Sequence, residues 1–513
     1  MKKSHQISIV AFLVVILLGY SKLRDKPEDK SEVERSSGKY VVAPTAESFR
    51  FGELDFTSCE LPGKNTSATT SAFCAPFKVA ENRDQPDARS IDLKLALIRS
   101  PQAADDDFIV FLAGGPGQSA VDSWPQIAPA LASARKNRHV LLLDQRGTGG
   151  SNALTCDGFA GDEEMLEFNA ERTAQLTRQC LDEVSARADP RFYTTTDAVE
   201  DLEALRQALG APRFDLVGVS YGTRVAQQFL KRHPEGVRSL VLDSVAPNEL
   251  VLGAEFSRNL DDALKDQFAN CAKSAECAKA FPDPYADLIR LRNNLREQPR
   301  EVRFPGAVSF VPETARLDDF GLVGLIRLFA YSPETAALIP LAVQQSLAGN
   351  DAPMMGQIGI LNEGVAELAG SGMQLSVICA EDVDRLPRES NEANTLMGDL
   401  MTEMVKLQCT IWPKGTRPPD FNEPASGDAP TLVLEGELDP VTPPRYGEQV
   451  VANLGNAKLI IAKGQGHNVI GRGCLPKLVG EFMNKLDPVS LDAACANELG
   501  PLPHFIDFNG AAP

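Results

Sequence analysis

The sequence predicts an α/β protein built on a mostly parallel, doubly wound sheet that a helical insertion interrupts. Three observations lead there. Short apolar runs, most of them ended by Gly, Pro or Asp, recur through the first half of the chain; helical patterns separate them; and the alternation lapses over about 250–425 before it resumes. Fully apolar strands between amphipathic helices are what a parallel sheet covered on both faces requires.

The runs 91–99 (IDLKLALIR), 108–113 (FIVFLA), 139–143 (HVLLL), 214–219 (FDLVGV) and 238–242 (RSLVL) read as strands. Over 197–209 the spacing of Val199, Leu202, Leu205 and Leu209 puts four apolar side chains on one helix face, and Gly210 with Pro212 stops that helix. From about 250 to 425 the patterns are mainly helical, with Cys271 to Phe281 and Leu317 to Phe329 as examples. Strand patterns return at 430–435 (PTLVLE) and 457–462 (AKLIIA), followed by a closing helix near 475–485. The expected organisation is therefore a core in two parts, 46–249 and 426–513, around a helical cap at 250–425.

The N-terminus adds two further segments. Lys2 and Lys3 precede an apolar run from Ile7 to Gly19, too short for a comfortable membrane span and suited to a signal peptide over 1–21. An uncleaved N-terminal anchor is the rival expectation. Segment 22–45, rich in Lys, Asp, Glu and Ser, reads as a flexible leader. The ten cysteines fit an oxidising compartment, periplasmic or extracellular, and fall as near-neighbour pairs: Cys59 with Cys74, Cys156 with Cys180, Cys271 with Cys277, Cys379 with Cys409, Cys474 with Cys495. Acidic residues outnumber basic ones by 70 to 51, for a formal charge of −19. Such a surface repels phosphate backbones, so a nucleic-acid partner is not expected. Without a Cys-x-x-Cys pair, and with the five histidines scattered, no metal site is expected either.

Chemistry concentrates after the strands. Gly218-Val219-Ser220-Tyr221-Gly222 stands between a strand and a helical stretch, the setting of a nucleophile elbow. A serine hydroxyl needs a base; His467, just past the last strand, is the best placed of the five histidines. The imidazole needs a carboxylate, and Asp439, in Gly436-Glu437-Leu438-Asp439-Pro440, is the choice over its neighbour Glu437. For the oxyanion, the turn Gly114-Gly115-Pro116-Gly117 offers the N–H of Gly115, and the elbow offers that of Tyr221. A phosphate loop is the rival use of these glycines, but no Lys-Ser/Thr follows them.

Taken in order, Gly114 to Gly117, Asp144-Gln145-Arg146-Gly147-Thr148-Gly149, the elbow continuing into Thr223, and Asp439-Pro440-Val441-Thr442-Pro443 resemble the prolyl iminopeptidase and tripeptidyl aminopeptidase family. Cys474 and Cys495 resemble the C-terminal extension of the tripeptidyl aminopeptidase branch. The resemblance implies an α/β-hydrolase fold, a serine peptidase with Ser220, Asp439 and His467 as its triad, and no cofactor. It departs from the pattern at Ala113, where many relatives carry His, and at Asn468, where a glycine is frequent.

An aminopeptidase must hold its substrate's α-ammonium group. Glu381 and Asp382 are the candidates, since the run Cys379-Ala380-Glu381-Asp382 resembles a segment near the end of the family's cap. The alternative is an acidic turn anchored by a disulfide. Asp144 and Arg146 are expected to brace the loop beside the elbow, and Trp412 and Phe421 to be core or pocket lining. Together these features predict an exported serine hydrolase releasing short N-terminal units from peptides. A carboxylesterase or small-molecule amidase, and a catalytically silent binding protein, are the competing expectations.

Overall fold

The computed structural model describes residues 48–62, 69–100, 102–103, 107–156, 169–306, 309–365, 372–388 and 392–511. The expected signal segment and leader, 1–45, lie outside them.

Seven strands follow the apolar runs: β4 (Ser90–Ile98), β5 (Phe108–Leu112), β6 (His139–Leu143), β7 (Phe214–Val219), β8 (Val237–Asp243), β11 (Thr431–Gly436) and β12 (Ala457–Ala462). Every residue of β5, β6 and β7 is buried. Along β5 the side chains divide by parity: Phe108, Val110 and Leu112 join the core on one face of the sheet, Ile109 and Phe111 the core on the other. With β1 (Ser48–Phe51), β2 (Leu54–Pro62) and β3 (Thr69–Ala80) at one edge, the order β1-β2-β3-β4-β6-β5-β7-β8-β11-β12 runs parallel from β6 to β12. Because β5 lies between β6 and β7, the chain winds one way from it and then the other, which opens a crevice at the carboxyl ends of β5 and β7.

Helices cover both faces. On one side lie α1 (Ala120–Ile127) and α15 (Leu475–Lys485), through Val121, Trp124, Leu478 and Phe482. On the other lie α2 (Ala170–Ser185), α3 (Thr195–Leu209) and α4 (Tyr221–Arg232). A capping box between Thr194 and Asp197 starts α3, and Gly210 at φ 66° ends it as its sequence predicts.

Two features go beyond the sequence expectation. Before β4 come β1 (Ser48–Phe51), β2 (Leu54–Pro62) and β3 (Thr69–Ala80), an antiparallel meander. Its strands mix polar and apolar residues because one face is only partly covered, so they lack the continuous apolar signature of the centre. Between β8 and β11, the helices α5 (Phe256–Cys271), α6 (Ala275–Ala280), α7 (Pro284–Glu297), α8 (Asp319–Phe329), α9 (Pro333–Ala336), α10 (Ile339–Leu347), α11 (Ala352–Val365), α12 (Gly372–Glu381) and α13 (Leu400–Gln408) are interrupted by a hairpin, β9 (Arg300–Pro305) with β10 (Pro312–Leu317). Leu317, expected to open a helix, instead ends β10; Asp318 then caps α8 by accepting from the Gly321 N–H at 2.9 Å. This region has a core of its own, centred on Leu260, Leu264, Leu291, Leu322, Ile326 and Phe329. In the sheet domain, α14 (Pro444–Val451) links β11 to β12.

The five disulfides pair the cysteines in sequential order: 59–74, 156–180, 271–277, 379–409 and 474–495. Among the described residues no helix is long and apolar enough to cross a membrane.

Candidate active site

Ser220 sits where β7 turns into α4, at φ 54° and ψ −123°, a conformation that few non-glycine residues adopt. The flanking glycines make the turn feasible. A Cβ on Gly218 would lie 2.6 Å from Gly222 O, and one on Gly222 would lie 2.7 Å from Ala113 O and closer still to Leu112 O. The elbow is therefore packed directly onto the end of β5. Thr223 locks it: its N–H bonds Ser220 O at 2.9 Å, and its hydroxyl oxygen accepts from Ala246 N at 2.8 Å.

The turn after β5 meets the elbow. A Cβ on Gly114 would lie 3.2 Å from Ser220 Cβ, and Gly115 follows at φ 111°. Tyr221 begins α4, so its N–H is a first-turn amide with no acceptor within the helix.

Asp439 and His467 are joined. Oδ2 of Asp439 is 2.7 Å from Nδ1 of His467, and both side chains are buried. Its Oδ1 accepts from the N–H groups of Val441 and Thr442, each at 2.8 Å, and Thr442 Oγ1 donates to Oδ2 at 3.0 Å. The Asp-Pro-Val-Thr turn thus orients the carboxylate that orients the ring. Glu437, its competitor, turns away to Lys463 Nζ at 2.8 Å and Gly464 N at 2.9 Å. The other described histidines lie elsewhere: His139 starts β6 and accepts from Ser100 N, His233 ends α4 beside Glu200, and His504 packs against Phe268. Ser220 reaches the pair through the backbone, by way of Asp243, and its hydroxyl makes no hydrogen bond to the ring here. Asn468 stands at φ 67°, the left-handed region that glycine enters freely and that Asn tolerates best among the others.

Two carboxylates beside the site are raised above their ordinary range by burial. Burial pushes Asp243 up to about 6, against two backbone N–H bonds that pull it down. Burial also raises Glu435 well above its ordinary value; its Oε1 accepts from Val245 N at 3.0 Å and its Oε2 has no hydrogen-bond partner among the described residues.

Glu381 and Asp382 lie at the end of α12, beside the disulfide of Cys379. Both are 0% exposed. Glu381 accepts the N–H of Thr195 at 2.7 Å and its hydroxyl at 2.9 Å; Asp382 accepts from Arg224 Nη1 at 2.9 Å, and that guanidinium lies 3.8 Å from Glu381. Arg224 is one turn beyond Ser220, and Thr195 Oγ1 is also 2.7 Å from the Tyr221 hydroxyl. The pair braces the elbow helix through Arg224 and, by way of Thr195, Tyr221. The carboxylates expected to hold a substrate ammonium thus take donors from Thr195 and Arg224.

Asp144 and Arg146 brace as expected. Asp144 accepts from Val121 N, Gly150 N and Ser119 Oγ, while Arg146 forks onto Asp201 at 2.6 and 2.7 Å. Trp412 and Phe421 are core: the Trp412 indole donates to Ser376 Oγ, and Phe421 is fully buried.

One neighbour of the imidazole carries no sequence signal. Tyr331, between α8 and α9, accepts the His467 N–H on its carbonyl at 2.8 Å and sets its ring edge-on to the imidazole, 5.1 Å between centroids. Arg472 then pairs with Glu334, whose carboxyl is lowered to about 2 by that hydrogen bond. An aromatic residue after an apolar helix reads as core in sequence, and only the packing places it here.

The alpha/beta hydrolase fold family matches residues 107–305, and the TAP-like protein family matches residues 394–495. The chain is an α/β-hydrolase-fold protein with a TAP-like segment. The hydrolase is 24% identical over 474 residues to the serine protease Hip1 of Mycobacterium tuberculosis (strain ATCC 25618 / H37Rv), covering 84% of this chain and 88% of that protein. It is 27% identical over 528 residues to carboxylesterase B of the same strain, covering 93% and 96%. To the tripeptidyl aminopeptidase of Streptomyces coelicolor (strain ATCC BAA-471 / A3(2) / M145) it is 23% identical over 432 residues, covering 77% of each. The TAP-like match spans Asp439, His467 and the disulfide between Cys474 and Cys495.

Proposed function

We propose that this hydrolase is an exported serine peptidase that releases short units from the N-termini of peptides. The observation that carries the chemistry is the buried Asp439–His467 pair, set beside a strained Ser220 elbow at the switch point of the sheet. In the proposed reaction His467 takes the hydroxyl proton of Ser220, whose Oγ bonds to the substrate carbonyl carbon. The N–H groups of Gly115 and Tyr221 hold the oxyanion. The C–N bond breaks as His467 returns the proton to the leaving amine, and a water activated by the same ring then frees the acyl group. No metal or cofactor takes part.

The peptidase reading is supported by the TAP-like segment and by the serine protease and tripeptidyl aminopeptidase among its relatives. Tyr331, clamped to the His467 loop, supports a helical cap over the site that admits short substrates. Export is supported by five disulfides among the described residues. Two observations favour a second reading, a carboxylesterase: the buried acidic pair bonds Arg224 and Thr195, and carboxylesterase B matches 93% of the chain.

A matched panel separates them: free and N-blocked aminoacyl, dipeptidyl and tripeptidyl anilides, with short-chain acyl esters, and Ser220→Ala as control. Cleavage of free-amine anilides alone, lost in Ser220→Ala, supports the peptidase. Turnover of esters alone removes it in favour of the esterase.

A further inference from the structure

Asp243 ends β8 and Ser244 follows it, both 0% exposed. This dipeptide bonds to each segment that carries a residue of the proposed triad. Toward the elbow, Asp243 O accepts from Ser220 N at 2.9 Å. Toward the strand that leads to Asp439, Ser244 N donates to Leu434 O at 2.8 Å. Toward the base, Ser244 Oγ accepts from Asn468 N at 2.8 Å, Asp243 Oδ1 from Val469 N at 2.9 Å and Oδ2 from Ile470 N at 3.1 Å. Ser244 stands at φ 56°, a costly conformation for a serine, and in it the N–H serves one segment while the hydroxyl serves another. Val245 extends the junction by donating to Glu435 Oε1.

We propose that Asp243 and Ser244 are positioning residues for hydrolysis, holding the backbones of Ser220, Asp439 and His467 in mutual register through this one junction. The inference rests on the serine-hydrolase reading above. Three consecutive amides after His467 are pinned, so the imidazole can rotate about its side-chain bonds but its Cα cannot drift from the elbow. Displacement of a catalytic group by about 1 Å costs a reaction on the order of 100-fold. The charged groups facing Asp243 are His467, Asp439 and Glu435. With two carboxylates on one side, a Lys or Arg in place of Asp243 would not repeat its contacts, because only an acceptor suits two N–H groups.

The test uses the full chain as wild type, Asp243→Asn, Ser244→Ala and Ser220→Ala. In Asp243→Asn one oxygen still accepts an amide, while the new NH2 group opposes the other. Expected are a fall in kcat of roughly 10- to 100-fold with KM within about twofold, and faster hydrogen exchange at the amides of Val469 and Ile470. In Ser244→Ala, exchange should quicken at Asn468. The proposal is overturned if folded Asp243→Asn keeps wild-type kcat, or if kcat falls while exchange at Val469 and Ile470 is unchanged. Should Asp243→Asn not fold, unchanged exchange at Asn468 in Ser244→Ala overturns it instead. If wild type and Ser220→Ala hydrolyse alike, the hydrolase reading has failed, and the exchange measurements still decide whether the junction holds the His467 loop.

Discussion

Asp439 divides its work between two oxygens: Oδ1 holds the Val441–Thr442 turn, and Oδ2 faces the imidazole. An amide can keep the first task and not the second. Asp439→Asn is therefore expected to lower kcat by about 10⁴-fold, through a misplaced ring proton, with little change in melting temperature; a kcat within tenfold of wild type would exclude the triad. Glu381 gives a second prediction at this scale. Its carboxyl, ordinarily at 4.5, is pushed up to about 8, burial being the largest cause and Arg224 opposing it. The folded value lies above the unfolded one, so this contribution to stability is complete below about 4.5 and is lost as pH rises through about 8. Glu381→Gln should flatten the decline in melting temperature between about pH 5 and 8, whereas an undiminished decline would mean another group causes it. The motifs around Ser220, Asp439 and His467 made these residues legible in the sequence. Asp243 and Ser244 were not legible, because an acid and a serine after a strand resemble the start of any loop, and their partners on the strand before Asp439 and on the His467 loop lie some 190 to 227 positions away.

Among the elements, α4 is placed by glycines at its start as well as by its apolar face. The Cβ of an alanine at 222 would press on the carbonyls of Leu112 and Ala113, which belong to the backbone at the end of β5 and have little room to yield. Overpacking of this kind costs about 1–3 kcal/mol. Gly222→Ala should lower the melting temperature and weaken labelling of Ser220 by a fluorophosphonate probe; normal labelling would show that the elbow tolerates the shift. The central strands were readable because burial on both faces leaves continuous apolar runs. β1 to β3 and the β9–β10 hairpin were not, since partly covered strands of mixed polarity share their composition with loops.

Across the whole molecule, the insertion is tied to the sheet domain at two places near the elbow and the base. Tyr331 and Glu334 engage the His467–Arg472 loop, and α12 brings Glu381 and Asp382 against Arg224. A disulfide between Cys379 and Cys409, 30 residues apart, holds the end of α12 to α13. Replacing both cysteines by serine should destabilise the fold by roughly 3–4 kcal/mol and loosen the brace under α4, read as a lower denaturant midpoint together with a lower kcat. A lower midpoint with kcat unchanged would separate the brace from catalysis. By itself the sequence determined the α/β class and the parallel strands, and it pointed to the elbow with its base and acid and to the sequential cysteine pairing that the disulfides adopt. Each follows from local periodicity, from a motif in its strand–turn–helix setting, or from nearness along the chain. Only the tertiary structure decided that β5 lies between β6 and β7, that Glu381 and Asp382 face Arg224 and Thr195, and that one dipeptide joins the three segments of the site. Local pattern reports that a group will be buried or charged; which partner it meets depends on strand pairing and packing between residues far apart in the chain.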